Sequence, residues 1–437
     1  MPDQTEQVLE LARKVAQEAE VFYIESSDTP VGFEANRLKQ VQSRQSGGMA
    51  LRIIKDGRIG FASTSKMDDP QALVDMAVEL AQFGAPAKFQ MPSAAVEQNV
   101  QVEDSAIEAI TIESMVEMGQ SLIDRIRSHT PEILCEASVV KRAVTIGIAN
   151  SRGLKLSYRK TTVSADIEGT LIRDTDMLFV GDRASSCRPI QDVNKLAEST
   201  IKQLDLAKRI VPAPVGELPV IFTPRAVLSS LIYPLAVALN GKTVLQGSSP
   251  LGNSLGQQVL ASNFSLWDDP TQDYIPGSRP WDDEGLAARR IPLIDRGVVA
   301  TFLYDLQSAG MAGTLSTASA SRGLGSLPSP SLSVAVIDPG DTLLESLISG
   351  VTEGILADEL LGSGQGNVLG GDFGGNLLLG YKIERGEIVG RVKNTMIAGN
   401  IYAALKDIAL SLEREWVGGF LHTPHIYCPR VSVSSTG

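Results

Sequence analysis

The sequence is short of the residues that most often do chemistry: three cysteines and three histidines occur in 437 residues, and aromatics make up 5%. Cys135, Cys187 and Cys428 are odd in number and far apart. That excludes a disulfide framework and points to a reducing compartment. No basic run interrupts the chain, and the densest cluster is the pair Arg289 and Arg290. With Lys+Arg 39 against Asp+Glu 51 the net charge is −12. A surface of that sign repels phosphate backbones, so no direct nucleic-acid binding is expected. No apolar stretch approaches the ~20 residues of a membrane span. The acidic, polar start at Met1–Gln7 does not fit a secretory leader. These absences together predict a cytoplasmic protein with no membrane contact.

What is abundant is glycine, with 40 residues, and aliphatic side chains. Hydrophobic residues at 43% and charged residues at 21% match an ordinary globular chain with ample core. The periodicity predicts a helix over 5–20 and β segments at 21–25 and 31–37. Strands at 48–54 and 58–63 flank Lys55-Asp56-Gly57, a hairpin signal. Helices follow at 69–84 and 111–128, then a long hairpin of 133–149 and 154–172, then a helix at 192–209. This half reads as α+β, an antiparallel sheet with helices on one side.

Val211-Pro-Ala-Pro-Val-Gly216 has two prolines and a glycine directly after a helix. It divides the chain into an N-terminal α+β domain, 1–210, and a C-terminal domain, 211–437. The second half is predicted as a β-rich, barrel-like antiparallel domain with two packed helices, 224–239 and 399–412. Pro234 should kink or split the first of these. Strands are expected at 218–222, 287–293, 298–304, 331–337, 376–383 and 424–434.

Candidate chemistry is sparse. The glycine-rich stretches 362–366 and 370–375 lack a following Gly-Lys-Ser/Thr, so they read as tight turns rather than phosphate loops. There is no Gly-x-Ser-x-Gly elbow, and the serines of 316–333 read as a mobile loop. His129 closes a helix, where a cation suits the dipole. His422, His425 and Cys428 are zinc-ligand types at a spacing of three, but Pro424 and Pro429 forbid a helix. In a strand, residues three apart face opposite sides, and His422 to Cys428 spans ~20 Å. Zinc bonds of ~2.0–2.3 Å cannot bridge that. Asp282, Asp283 and Glu284, followed by Gly285, could serve acid–base work or bind a hard cation. A solvated turn opening the next strand is the favoured reading of that cluster.

Several ordered motifs resemble the TldD/TldE (PmbA) family, known as modulators of DNA gyrase and as peptidases. They are Gly48–Ile53, Arg58–Ser63, Ser254–Gln258, Trp281–Gly285, Asp295–Leu303 with Asp305, Gly362–Gly375, Tyr381–Ile388 and Ile397–Asn400. The resemblance makes Asp282, Asp283, Glu284, Gly285, Gly371, Asp372 and Phe373 candidate groove residues. In TldD-type members the first helix of the C-terminal domain carries His-Glu-x-x-x-His, and a cysteine near the C-terminus completes a zinc site. Here that helix is Pro224–Asn240, with Ile232 to Val237 at the motif position and no His, Asp, Glu or Cys anywhere in it. The resemblance therefore implies a TldE-type chain without catalytic or metal-binding residues of its own.

On this reading zinc belongs to a TldD-type partner, with which the chain forms a heterodimer acting on unfolded or extended peptides; a homodimer is the other assembly. The alternatives are a stand-alone hydrolase with an atypical site, and a regulatory protein acting indirectly on gyrase.

Overall fold

The computed structural model describes residues 3–66, 68–96 and 98–435. Strands β1 (Glu18–Glu34), β2 (Arg37–Val41), β3 (Arg44–Lys55), β4 (Arg58–Thr64), β5 (Leu134–Asn150), β6 (Lys155–Arg173) and β7 (Asp176–Ser186) form one antiparallel sheet. Its order is β4-β3-β1-β5-β6-β7, with β2 added to the distal half of β1. Helices α1 (Asp3–Ala12), α2 (Pro70–Ala81), α3 (Ser105–Glu108), α4 (Ile112–His129) and α5 (Asn194–Leu206) complete this half. The Asp56–Gly57 turn has left-handed φ at both positions, as a tight hairpin requires.

One face of the sheet carries the helices. Val8, Leu9, Leu73 and Val74 pack on Val21, Leu51 and Ile53 at one end. Met115, Leu122, Ile126 and Leu196 pack on Val31, Cys135, Val139 and Ile167 at the other. Because β residues alternate between faces, Glu20, Phe22, Arg52 and Ile148 face the opposite side. There Phe22, Ile148, Leu154 and Leu156 meet Trp281 of the second half.

The second half contains helices α6 (Pro224–Val227), α7 (Tyr233–Ala238), α8 (Gly241–Leu245), α9 (Leu306–Ala312), α10 (Leu344–Ser349) and α11 (Ile401–Ala404). Its strands are β8 (Gly216–Phe222), β9 (Leu266–Asp268), β10 (Ile291–Asp295), β11 (Val298–Val299), β12 (Ala320–Ser321), β13 (Ser329–Pro330), β14 (Ala335–Ile337), β15 (Glu353–Leu361), β16 (Asp372–Glu384), β17 (Glu387–Arg391), β18 (Thr395–Asn400), β19 (Ala409–Val417) and β20 (Leu421–Ser435). The run β20-β18-β16-β15-β8 closes on itself through a further β20–β8 pairing. This is a five-stranded barrel filled by Phe222, Phe373, Ile397 and Ile426. Its outer wall, at Ile221, Leu356, Leu379 and Tyr381, joins the α4/α5 cluster and ties the two sheets together.

The α+β class and the barrel-like second half are as the sequence predicts, but several elements differ. The first helix stops at Ala12 instead of running to residue 20, because Glu18–Ala19 already pair with Ile53–Ile54 of β3. The two segments at 21–25 and 31–37 form one continuous strand, β1, through Glu34. The helix predicted over 399–412 reduces to the single turn α11, and Ala409 onward is strand β19, held by pairing with β20. The strands at 287–304 shrink to β10 and β11 around the Arg296–Gly297 turn, where both φ are left-handed. The strand at 331–337 begins only at Ala335. Strands β7 and β15 were not anticipated. The serine-rich stretch 316–333 is no mobile loop: Thr317, Ser319 and Arg322 are buried, and β12 pairs with β13.

Candidate functional site

The turn Asp282–Gly285 is buried, contrary to the solvated turn the sequence favours. Gly285 supplies the left-handed φ that closes the turn, and a Cβ there would meet Leu154 at 2.4 Å. The turn is thus tucked beneath the β5–β6 connection. Asp282 shapes it: Oδ1 accepts from the Glu284 and Leu286 N–H groups at 3.0 and 2.9 Å, and Oδ2 from Ala320 N–H at 3.1 Å. Asp283 Oδ2 accepts from Arg322 N–H at 2.8 Å, and its Oδ1 lies 3.8 Å from Arg279 Nη1. Glu284 Oε1 accepts from Arg52 Nη1 at 2.6 Å, and Oε2 from Leu306 N–H at 2.7 Å.

Arg52 reaches on to Glu20 Oε2 at 3.0 Å, and Arg322 Nη2 lies 2.7 Å from Glu20 Oε1. The result is a buried chain of charge, Glu284–Arg52–Glu20–Arg322, spanning both halves of the molecule. Phe22 and Phe89 stack against Arg322 and Arg52. Burial raises the Glu284 carboxyl to about 7, opposed by Arg52 and reinforced by Asp282 and Asp305. Burial likewise raises Asp282 to about 6, with Arg279 opposing. Burial works against Glu20 as well, but Arg322 and Arg52 outweigh it and hold that carboxyl low. Every one of these carboxylates is engaged by donors and shielded from solvent. The chemistry that follows is docking of one sheet on the other. Glu20, Arg52 and Arg322 are not among the residues that sequence reasoning singles out. A charged residue in the apolar β3 run Met49–Ile54 was the available signal.

Gly371, Asp372 and Phe373 lie elsewhere, and none of their partners belongs to this turn. Gly371 passes the Tyr402 ring with a left-handed φ, where a Cβ would sit 2.4 Å away. Asp372 Oδ1 accepts from Asn400 Nδ2 at 2.9 Å. Phe373 fills the barrel edge-on to Phe222, with centroids 5.8 Å apart. The sequence-based grouping of these three with the carboxylates is therefore not a single constellation. The glycine-rich stretch 362–366 lies in the β15–β16 connection, consistent with the turn reading, whereas 370–375 enters β16 at Asp372 and is mostly strand.

The segment Pro224–Asn240 is split, as Pro234 predicts. Thr223 caps α6, a wider π turn occupies Leu228–Ile232, and α7 resumes at Tyr233. Pro234 has no N–H for the Ser230 carbonyl, and a π turn just before it absorbs the mismatch. Ser363 Oγ donates to the Ser229 carbonyl at 2.9 Å, which fixes the 362–371 connection against this segment. Arg225 pairs with Asp358 and donates to the Gly181 carbonyl of β7. Leu231, Ile232 and Leu235 are buried. Aliphatic side chains carry no lone pair for zinc, so this segment does not fit the metal that the resemblance places here in TldD-type chains.

The C-terminal trio is held in strand geometry. His422 stacks on Trp416 with centroids 4.5 Å apart, His425 is buried, and Cys428 lies in the barrel core. Burial lowers both histidines to about 4. His129 ends α4 and meets Asp205 at 3.0 Å. Among the described residues no group of three or more His, Cys, Asp or Glu side chains is arranged to hold a metal ion. No helix among them is long and apolar enough to cross a membrane.

Comparison with known proteins places this architecture. An uncharacterized protein of Methanocaldococcus jannaschii is 26% identical over 92% of this chain and 93% of its own length. A protein of Haemophilus influenzae described as a metalloprotease PmbA homolog is 24% identical, over 92% of this chain and 88% of its own. The crystal structure of TldE from Thermococcus kodakarensis superposes with a TM-score of 0.89 at 23% identity, covering 99% of this chain and 100% of that one. Residues 19–81 match domain 1 of the PmbA/TldA metallopeptidases. Residues 215–435, half of the chain, match their C-terminal domain, and the chain belongs to that family.

Proposed function

We propose that this chain is a TldE/PmbA-type subunit, non-catalytic itself, that pairs with a TldD-type zinc subunit and helps form a groove for unfolded or extended peptides. The observation that carries the reading is the segment Pro224–Asn240. At the position where the zinc helix of a catalytic relative is expected, it presents Leu231, Ile232 and Leu235 to the core and contains no ligand. A catalytic metal needs three protein ligands and a general base nearby. Neither the segment nor the buried Asp282–Glu284 turn, whose carboxylates are held by Arg52 and backbone N–H groups, supplies them.

The test is reconstitution. The purified chain alone is expected to hold no stoichiometric zinc and to cleave no peptide. Mixed with a zinc-containing TldD-type subunit, it is expected to co-elute with that subunit and to raise cleavage of an unstructured peptide. Stoichiometric zinc with activity in the isolated chain, abolished by His425→Ala, would favour a stand-alone hydrolase. Tight binding to duplex DNA at low salt would favour a nucleic-acid regulator.

A further inference from the structure

Between α1 and the β5–β6 turn lies a cleft of about 290 Å³. That is the small end of the roughly 300–1,000 Å³ range of ligand clefts. Leu9, Ala149 and Leu154, all buried, give it an apolar lining. The turn that forms one wall is rigid. Asn150 Nδ2 donates to the Pro92 carbonyl at 2.8 Å, and Asn150 Oδ1 accepts from the Arg152 and Leu154 N–H groups at 3.0 and 3.1 Å. Gly153 turns with a left-handed φ, and a Cβ there would meet nothing within 4 Å. The opening is therefore set by backbone and not by side-chain rotamers.

One polar group lining the cleft has no structural use. Thr5 is 1% exposed, yet its hydroxyl has no hydrogen-bond partner among the described residues. A buried hydroxyl left unbonded is destabilising, and valine would fill the same space without that cost. The rim carries both signs of charge. Lys155 pairs with Glu6 at 3.0 Å, but both side chains are largely exposed. Such a pair is weak, and Lys155 is free to turn inward. Glu10 and Arg13 line the same rim and form no ion pair among the described residues. Like charges at i and i+4 work against a helix, so Glu6 and Glu10 are placed together at a local cost.

The geometry points to a binding site in this cleft for a small zwitterion with an aliphatic body, of the size of a free α-amino acid. Lys155 and the Thr5 hydroxyl meet its carboxylate, Glu10 its ammonium, and Leu9 and Leu154 its body. Thr5 and Glu10 lie about 7.5 Å apart along the helix axis. That is close to the reach of one α-amino acid with a hydrogen bond at each charged end. An anion or a cation alone would leave one sign of the rim unanswered. The site is independent of the proposed pairing with a zinc subunit, since Pro224–Asn240 contributes nothing to it.

Titration calorimetry of L-leucine into the purified full chain tests the site. Saturation of a single site is expected, with a rise in the thermal midpoint of the chain. Isocaproate, which lacks the ammonium, and isopentylamine, which lacks the carboxylate, are expected to bind at least about tenfold more weakly. Thr5→Val is expected to weaken leucine by about tenfold, while the midpoint of the free chain holds or rises. Glu10→Gln should weaken leucine and leave isocaproate unchanged. No saturation at concentrations up to about 10 mM overturns the assignment, as do equal affinities for the three compounds. A Thr5→Val chain that loses stability yet keeps its affinity makes the hydroxyl structural and overturns it as well.

Discussion

Arg52 donates to Glu284 at 2.6 Å across 232 residues of sequence, with both side chains buried. One guanidinium on β3 therefore answers a carboxylate from the other half of the molecule while also serving Glu20 on β1. Buried ion pairs are poor sources of net stability, yet removing one partner is severe because the other charge stays buried. Here the second partner is shared. The chain Glu284–Arg52–Glu20–Arg322 works as a specificity device, fixing how the sheets dock.

Arg52→Met leaves Glu284 with only the Leu306 N–H. The expected loss is roughly 3–5 kcal/mol, read from urea unfolding. For contrast, Lys39→Ala, which removes an exposed pair with Glu34, should stay within about 0.5 kcal/mol. Equal effects for the two variants would refute the lock.

Acidity should tune the same seam. Glu284 and Asp282 sit at about 7 and about 6 in the folded chain, raised by burial, against ordinary values of 4.5 and 3.8. The folded state holds those protons more tightly than the unfolded one. The stability they lend is full below the ordinary values and is lost as pH rises through about 6 to 7. Glu20, held low by its arginines, has the opposite sign: its contribution is lost as pH falls below its ordinary 4.5. The urea midpoint should therefore fall between about pH 5 and about pH 8, and Glu284→Gln should flatten that slope. A midpoint that climbs over this range would count against the assignment.

Much of this was legible in the sequence where local chemistry decides. Asp56–Gly57 marks a hairpin, the 69–84 and 111–128 periodicities find α2 and α4, and Pro234 splits its helix. Where pairing partners lie far away, local signals misled. The stretch after Ile401 looks helical alone but is drawn into a strand by β20. Asp282-Asp283-Glu284 looks like a solvent turn because nothing nearby announces Arg52, some 230 residues earlier, or Arg322. The aliphatic character of Pro224–Asn240 was visible at once, since an absence of ligands needs no tertiary information.

The joint at α9 should be intolerant of a single methyl. A Cβ at Gly310 would stand 1.7 Å from the Lys88 carbonyl oxygen, a backbone atom that cannot swing aside. Helix propensity favours alanine over glycine by about 1 kcal/mol. The clash should outweigh it, for a net loss of about 1–3 kcal/mol. Thermal unfolding of Gly310→Ala would show this, and a more stable variant would mean that the close approach is not maintained.

Thiol chemistry can report the two halves separately. Burial pushes Cys135 and Cys187 up to about 11 and Cys428 to about 12. The thiolate is the reactive form, so at neutral pH the native chain should react negligibly with a thiol reagent and the denatured chain at all three cysteines. Cys187 packs with Val100, Val102 and Tyr274, and its N–H donates to the Tyr274 carbonyl at 2.9 Å. It therefore sits where the first half meets the second, whereas Cys428 lies inside the barrel. Arg52→Met loosens the seam without touching the barrel. Labelling followed by peptide mapping should then find Cys187 modified well before Cys428. Simultaneous modification would mean that the variant opens the whole molecule at once and that the seam is not a separate unit.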